Sequence, residues 1–271
     1  MKIMLKTNKS HLKILIIIFF VISLGNWFQS PIIASEIIDD DNLLHTSLVL
    51  AGFTIDDTGN GDFTWQEASL EDWCYGSGTK NDPYVLEMLS FVVPVLQIQH
   101  STSFFVIRNC SFLSGIYLSY ATNGLIYDNK IGARWNSGIT LSESPGTIVK
   151  NNLIYADSTV DPGILLVSNS YNSTIFNNTI SGFDWGIRLI ESENNLIFNN
   201  TLTLNVKGIE LLINNNNIIE ENDLSFNNIG IFLHENGNNN NSFSNNRLIN
   251  NTDKALYISS FANENNFYGN I

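Results

Sequence analysis

The sequence predicts an all-β protein built as a β-solenoid, and three observations predict this fold. An Asn-Asn-x-apolar element, followed after about nine or more residues by Gly-Ile-x-apolar, recurs along the second half of the chain. Repeats of roughly 20 to 50 residues are typical of solenoids, propellers and arrays, and this unit is too short for a propeller blade. After each Gly, apolar and variable residues alternate, as in a half-buried strand. We therefore expect about seven coils of 22–25 residues.

The repeat keeps one register along the chain. Its Gly-Ile members begin at Gly115, Gly138, Gly163, Gly186, Gly208 and Gly230, with a degenerate copy at Ala255. The steps between them are 23, 25, 23, 22, 22 and 25 residues. The Asn members run in matching register, with a Cys at the first position: Cys110, Asn129, Asn152, Asn178, Asn200, Asn222, Asn246 and Asn270. A coil of this length accommodates three short strands and three turns.

The two repeated residue types have separate expected roles. Asn tolerates the left-handed backbone that tight corners need. Because stacked coils lie about 4.8 Å apart, each Asn amide is expected to hydrogen-bond to the Asn above and below it in a ladder. The Gly before each inward Ile suits a bend that leaves no room for a Cβ.

Two segments resemble a known family. The phrase in residues 177–189 resembles the right-handed parallel β-helix repeats of the NosD-like family. Residues 73–87 resemble the segment before the first coil in many archaeal β-helix surface proteins. The resemblance covers about residues 50–271 and implies a right-handed parallel β-helix. It implies little about function, because this fold hosts lyases, hydrolases, adhesins and inert scaffolds.

The name of that family suggests copper, whose sites need His, Met or Cys. Outside the N-terminal segment these residues are scattered, at His45, Cys74, Met88, His100, Cys110 and His234. The sequence therefore argues against copper, and we expect no cofactor other than the calcium considered below.

The N-terminus predicts export. Four Lys precede an apolar run over residues 14–24, which is too short to cross a bilayer comfortably. A small-residue site follows near Ala34, so residues 1–35 are interpreted as a secretory signal peptide. An uncleaved anchor is the alternative, and it would be the chain's one contact with a membrane. Either way, we expect a secreted or cell-surface protein.

The charge balance restricts the partners. The formal charge of −13 would become −17 on cleavage, because residues 1–35 hold four Lys and no acid. A chain this acidic repels nucleic acid and anionic lipid. The sequence therefore argues against a nucleic-acid partner.

The exported chain is expected to be one domain with a cap. Residues 36–45 are interpreted as a linker, 46–100 as the N-terminal cap and first strands, and 101–271 as the β-helix repeats. A capping-box pattern at residues 64–67 predicts a short helix in the cap. The sequence stops halfway into a new coil, so it is either truncated or covered there by another subunit. Its last strand edge, with Leu256, Ile258 and Phe267, predicts self-association.

Asp56, Asn60 and Glu67 match part of a calcium-binding EF-hand loop. A Thr occupies the third position, and the preceding segment has the pattern of a strand rather than a helix. The alternative is a Gly-Asn turn followed by a helix cap at Glu67.

Cys74 and Cys110 are the only cysteines. In an exported protein an even count suggests a disulfide, which would join the cap to the first coil. Since Cys110 occupies a ladder position, a buried free thiol is the alternative.

The outward positions of the Gly-Ile strands form a stripe: Tyr117, Thr140, Leu165, Arg188, Glu210, Phe232 and Tyr257. Asp161 and Asp184 precede it on successive coils, so their carboxylates are expected about 5 Å apart. Trp185 departs from the small or charged residues at that corner of the other repeats. We predict a saccharide groove centred on Trp185, with Asp161, Asp184, Arg188 and Glu210 as ligand contacts. Ordinary surface, with Arg188 and Glu210 as a cross-strand ion pair, is the alternative.

Three functions follow from these features. The favoured one is an exported recognition module that binds carbohydrate or a cell-surface partner without catalysis. The second is a polysaccharide hydrolase or lyase using Asp161 and Asp184, whose spacing suits a retaining glycosidase. Against it, the stripe shows no Lys/Arg/Asp set of lyase type, and the motifs of pectin-cleaving hydrolases are absent. The third is a purely architectural segment of a surface protein.

Overall fold

The computed structural model describes residues 32–33, 48–134, 136–156, 161–234, 237–259 and 262–271. In these residues three long sheets wind around one apolar core, and the single helix is Trp65–Ala68. No helix among them has both the length and the apolarity that a membrane span requires. Apart from Ile32–Ile33, the predicted signal peptide lies outside the described residues, as does the linker.

Sheet 1 contains the Gly-Ile strands and has nine members. From the N-terminal end they are Thr54–Asp56, Leu96–Ser101, Ile116–Ala121, Ile139–Ser142, Pro162–Val167, Trp185–Ile190, Lys207–Leu212, Ile229–Leu233 and Lys254–Ile258. All neighbours in this sheet pair in parallel. The register aligns each inward Ile with the next, for example Ile187 with Ile209, and these side chains are buried.

Sheet 2 follows sheet 1 in each coil and has ten strands. They are Cys74–Tyr75, Tyr84–Glu87, Phe105–Arg108, Gly124–Tyr127, Ile148–Lys150, Thr174–Phe176, Leu196–Phe198, Ile218–Glu220, Ser242–Ser244 and Asn266–Tyr268. Sheet 3 completes the coil with eight. They are Ile32–Ile33, Leu48–Leu50, Leu89–Phe91, Ser111–Phe112, Lys130–Gly132, Leu153–Tyr155, Thr179–Ser181 and Thr201–Thr203. In each of these two sheets the first pair is antiparallel and the others are parallel.

This architecture confirms the predicted β-solenoid, and one unit of it is a coil of three strands. Strands from residues 48–101 belong to all three sheets, so much of the region outside the repeat is itself wound into the rod. The short helix Trp65–Ala68 has the predicted capping box: the Thr64 hydroxyl accepts from the backbone N–H of Glu67, and the Glu67 carboxylate accepts from that of Thr64. Trp65 of this helix stacks on Tyr84 and Phe105 of sheet 2.

The predicted Asn ladder runs along the corner between sheets 2 and 3. The Oδ1 atom of Asn200 accepts from the backbone N–H and from the Nδ2 group of Asn178, each at 3.0 Å. The ladder residue itself is buried, and the left-handed backbone belongs to the residue before it, such as Asn199 with φ 51°. The two residues of each Asn-Asn pair therefore have different roles. The first adopts the left-handed backbone of the turn, and the second hydrogen-bonds to the next coil.

Two further ladder corners were not predicted. One, between sheets 1 and 2, links Asn195, Asn217, Asn241 and Asn265, with a parallel run from Asn214 to Asn238. The other, between sheets 3 and 1, links Asn205, Asn227 and Asn251. Bonds from coil to coil at all three corners satisfy backbone groups that the turns would otherwise leave unpaired inside the protein.

Both cysteines are free, buried thiols, so the structure has the alternative to the suggested disulfide. The Cys110 Sγ atom hydrogen-bonds to the carbonyl of Arg108 at 3.1 Å, while its backbone N–H donates to the Asn129 amide as the first rung of the ladder. Burial raises the pKa of each thiol to about 12. Since the thiolate is the reactive form, both groups are protected from oxidation.

We expect neither thiol to react with a disulfide reagent such as DTNB in the native protein at pH 8, because both are buried and protonated. In denaturant without reductant, two thiols per chain should titrate. The Cys110→Ser variant should titrate one. A denatured chain that shows no thiol until it is reduced would mean that the bridge forms after all.

Candidate functional site

The outer face of sheet 1 carries the candidate site. Its central column is the predicted stripe, since Tyr117, Thr140, Leu165, Arg188, Glu210, Phe232 and Tyr257 pair in that order from strand to strand. A second column lies beside it and contains Pro162, Trp185, Lys207, Ile229 and Lys254. Side chains from the two columns meet between the Trp185 strand and the Tyr257 strand.

Trp185 is half-buried and already has two cationic partners. The Arg188 guanidinium carbon lies 4.3 Å from the ring centroid, and the Lys207 Nζ atom lies 5.3 Å from it. The ring nitrogen is buried and has no hydrogen-bond partner in the described part of the chain. The indole at the centre of the predicted groove therefore shares its ring with two cations.

Glu210 explains why these cations stay in place. Its carboxylate is fully buried and lies 2.5 Å from the Arg188 Nε atom and 2.6 Å from the Lys207 Nζ atom. The cross-strand ion pair between Arg188 and Glu210 is therefore present. With no exposed surface, Glu210 does not have the direct ligand contact predicted for it. It instead orients two cations whose side chains are 24 % and 21 % exposed.

The strip of rings and cations continues beyond Trp185. Lys207 also lies over Phe232, with its Nζ atom 4.2 Å from that ring centroid. Phe232 stacks on Tyr257 at 4.9 Å with an angle of 11° between the rings. Lys254 lies over Tyr257 at 5.1 Å. We call these residues, together with Trp185 and Arg188, the ring–cation strip. The sequence named most of its members but not their alternation, which arises from contacts between neighbouring strands.

Asp161 and Asp184 lie at the corner just before the strip. Each precedes one residue of the strand pair Pro162–Trp185, so the two occupy the same place on successive coils, as predicted. Both are partly exposed. Neither has an ion pair within the described residues.

A second polar group at the other end of sheet 1 was missed by the sequence analysis. The His100 Nδ1 atom lies 3.2 Å from the Asp56 carboxylate, and the two side chains are 43 % and 4 % exposed. Hydrogen bonds from Thr58, aided by His100, hold the pKa of Asp56 below its ordinary value. The His100 ring stacks on Tyr120 at 5.3 Å. A hydrogen bond to Glu143 raises the pKa of Tyr120.

In the sequence, only the positions of His100, Tyr120 and Glu143 connect the residues of this group. His100, Tyr120 and Glu143 each lie at the end of a sheet 1 strand and each have positive φ, at 48°, 51° and 46°. They therefore occupy one corner on successive coils. Their residue types differ, so the sequence pattern did not connect them.

The three calcium candidates take part in local hydrogen bonds. The Asp56 carboxylate accepts from the backbone N–H and hydroxyl of Thr58, and the Asn60 amide donates to the same hydroxyl. Glu67 is engaged in the capping box. Among the described residues no three His, Cys, Asp or Glu side chains are grouped as metal ligands. The geometry favours the turn and helix cap, and calcium stays a prediction without structural support.

Residues 96–183 and 161–271 match a family model described as the right-handed β-helix region. The chain belongs to the right-handed β-helix family. Similar solved structures include the periplasmic alginate epimerase AlgG, with a TM-score of 0.61, and a single-site mutant of it at 0.63, each 19 % identical in sequence. Each match covers 69 % of this chain and 49 % of the other, so this β-helix spans about half the length of those enzymes.

The A-module of the Azotobacter vinelandii mannuronan C-5 epimerase AlgE6 is also similar, with a TM-score of 0.47, 15 % identity, and coverage of 69 % of this chain and 63 % of that one. A search of the curated proteins finds no match. At 19 % identity, the similarity to the AlgG structures bears on the fold alone, and that fold is the β-helix.

Proposed function

We propose that this β-helix is an exported recognition module that binds carbohydrate, without catalysis, along the ring–cation strip of sheet 1. The observation that carries the proposal is the set of rings at Trp185 and Phe232, both half-buried, and Tyr257, which is exposed, interleaved with cations that a buried carboxylate holds. The NosD-like resemblance and the secreted or cell-surface location are part of the same proposal.

This arrangement suits a saccharide for two physical reasons. Ring edges and faces provide apolar contact for the C–H face of a sugar, as in many ligand sites. Arg188 and Lys207 supply N–H donors for hydroxyl or carboxylate oxygens of the sugar. Because Glu210 already holds both cations, less side-chain entropy is lost when a ligand binds. Asp161 and Asp184 can accept hydrogen bonds from hydroxyl groups at the edge of the strip.

The comparisons lend support of a general kind. The two AlgG structures are described as a periplasmic alginate epimerase and its mutant, so carbohydrate-active and exported proteins occur with this fold. The sheet 1 strip is the surface of this chain on which we place the corresponding recognition.

We expect the Trp185→Ala variant to lose at least about tenfold in affinity for any glycan that the secreted protein binds, which corresponds to about 1.4 kcal/mol. Asp161→Asn should weaken binding less, because it changes one edge contact. A glycan array identifies the ligand, and titration of the soluble glycan gives the affinities. Circular dichroism checks that each variant keeps its fold.

Phe198→Ala is the matched control, because Phe198 also stacks on an aromatic neighbour but lies on sheet 2. It should bind within about twofold of the unmodified protein. Equal losses in Trp185→Ala and Phe198→Ala would contradict the proposed location. If the protein binds no glycan on the array, carbohydrate binding is excluded for the glycans tested. The alternatives are then an architectural function or a cell-surface protein as partner.

A carbohydrate-active enzyme is the second candidate, and the His100–Asp56 pair favours it. A buried carboxylate that holds one ring nitrogen of an exposed His leaves the other nitrogen free for proton transfer. Incubation with neutral and acidic polysaccharides, followed by assay of new chain ends, tests this function. If turnover occurs, loss in His100→Gln places catalysis at that pair, whereas loss in Asp184→Asn places it at Asp161 and Asp184.

A further inference from the structure

The outer face of sheet 2 carries two columns of side chains. One column is largely apolar and contains Leu125, Ile148, Thr174, Leu196 and Ile218, and it continues into Val85 and Val106, which are buried. The other contains Glu87, Arg108, Tyr127, Lys150, Phe176, Phe198 and Glu220. Ile148 and Ile218 are 38 % and 44 % exposed. Phe176 and Phe198 stack on each other at the middle of the face.

Two charges on this face have no partner of opposite sign within the described residues. Lys150 lies over the rings of Tyr127 and Phe176, with no carboxylate beside it. Glu220 has no Lys or Arg beside it, whereas Glu87 is paired with Arg108. The strands of Lys150 and Glu220 are three steps apart in the sheet, which is about 14 Å. That separation prevents a pair within one chain.

A twofold rotation brings these charges together between two copies. The axis would run along the strands, midway between Thr174–Phe176 and Leu196–Phe198. Such a rotation keeps each column opposite the same column and reverses the order of the coils. Lys150 then faces Glu220 of the partner subunit, and Glu220 faces Lys150 of the partner subunit. An isologous contact makes each such pair twice.

The apolar residues match under the same rotation. Phe176 faces Phe198 of the partner subunit, and Ile148 faces Ile218 of the partner subunit. The two most exposed Ile side chains of the face therefore cover each other. A parallel arrangement of the rods would instead place the two Lys150 side chains at the same level and the two Glu220 side chains at the same level, so no pair of opposite charges would form. We propose that sheet 2 is the face through which two copies of this chain pair, as an antiparallel dimer.

The size of the face predicts a weak dimer. From the Leu125 strand to the Glu220 strand it extends about 19 Å, and it is about 10 Å wide at three residues a strand. Stable interfaces bury about 800 Å² on each partner, which is more than this face offers. The negative net charge of the chain also opposes association. The dimer should therefore form only at high protein concentration.

Charge exchange tests the pairing directly, measured by sedimentation equilibrium over a wide range of concentration. Lys150→Glu should raise the dimer dissociation constant at least about tenfold, and Glu220→Lys should do the same. The double variant should return to within about threefold of the unmodified protein, because the pair is re-formed with its signs reversed. Lys130→Glu, an exposed site on sheet 3, is the control and should have little effect.

The two single variants separate specific pairing from general repulsion. Glu220→Lys lowers the net negative charge, so it would strengthen a dimer limited only by repulsion. That result, a double variant that stays monomeric, or a protein that is monomeric at every concentration would overturn the proposal. If the dimer dissociation constant is unchanged in the Lys150 and Glu220 variants but the Ile258→Lys variant is monomeric, the contact lies at the last strand edge and the proposal is overturned.

Discussion

Replacing Asn200 with Ala should lower the free energy of unfolding by about 3 kcal/mol or more. The Asn200 side chain accepts from the backbone N–H and Nδ2 of Asn178, and donates to the carbonyls of Ile175 and Phe198 and to the amide of Asn222. All of these bonds lie in or next to the core. A buried polar group left without a partner costs about 1–3 kcal/mol, and Ala would leave more than one.

Thermal or urea unfolding measures this loss, and two variants define its origin. Asn199→Gly removes an exposed amide at the neighbouring position while keeping the left-handed backbone, and should cost less than about 1 kcal/mol. Asn200→Asp keeps the accepting oxygen but turns a second, charged oxygen toward the carbonyls of Ile175 and Phe198, so it should cost at least as much as Asn200→Ala. If Asn200→Ala were no worse than Asn199→Gly, the ladder would not be what stabilises the rod.

Replacing Gly186 with Ala should be destabilising by about 3 kcal/mol or more, the upper end for overpacking. A Cβ there would lie 2.6 Å from the carbonyl oxygen of Gly208 and 2.6 Å from Cδ2 of Leu202. The oxygen belongs to the backbone of the next coil, so relief requires the two coils to move apart. The φ angle of Gly186 is not in the left-handed region, and the requirement is therefore for space.

The column of Gly residues that includes Gly186 also provides a control position. Ala255 occupies the equivalent position on the last strand of sheet 1 and is exposed. Ala255→Gly should change stability by less than about 1 kcal/mol, through backbone entropy alone. Denaturant unfolding compares the two variants. A Gly186→Ala protein as stable as the parent would show that the coils can separate without cost.

The fold was predictable because a solenoid repeats its local physics in every coil. The Gly-Ile step marks the same inward strand in each repeat, so the spacing alone aligns Ile187 with Ile209, and the strand register agrees. The ladder through Asn178 and Asn200 followed from the same spacing. The ladders through Asn195 and Asn205 were missed because their corners vary in length and residue type.

For the candidate site, the sequence predicted which residues share a column but not how their side chains contact each other. Repeat spacing placed Arg188, Glu210 and Phe232 in one outward column, and the strand register agrees. It could not show that Glu210 is buried or that Arg188 covers Trp185, because those facts depend on side-chain conformations. The His100–Asp56 pair joins residues 44 positions apart, both of them outside the predicted repeats, so no spacing marked it.

What the sequence by itself determined, then, is the solenoid, its coil length and the residues that share each column. A repeated spacing aligns equivalent positions, and apolar burial requires the same face to turn inward in each coil. What only the tertiary structure decided is how unlike side chains on neighbouring coils contact each other: the free thiols of Cys74 and Cys110, the cations over Trp185, and the unpaired charges of Lys150 and Glu220. Such contacts depend on distances of a few ångströms between residues that no repeat relates.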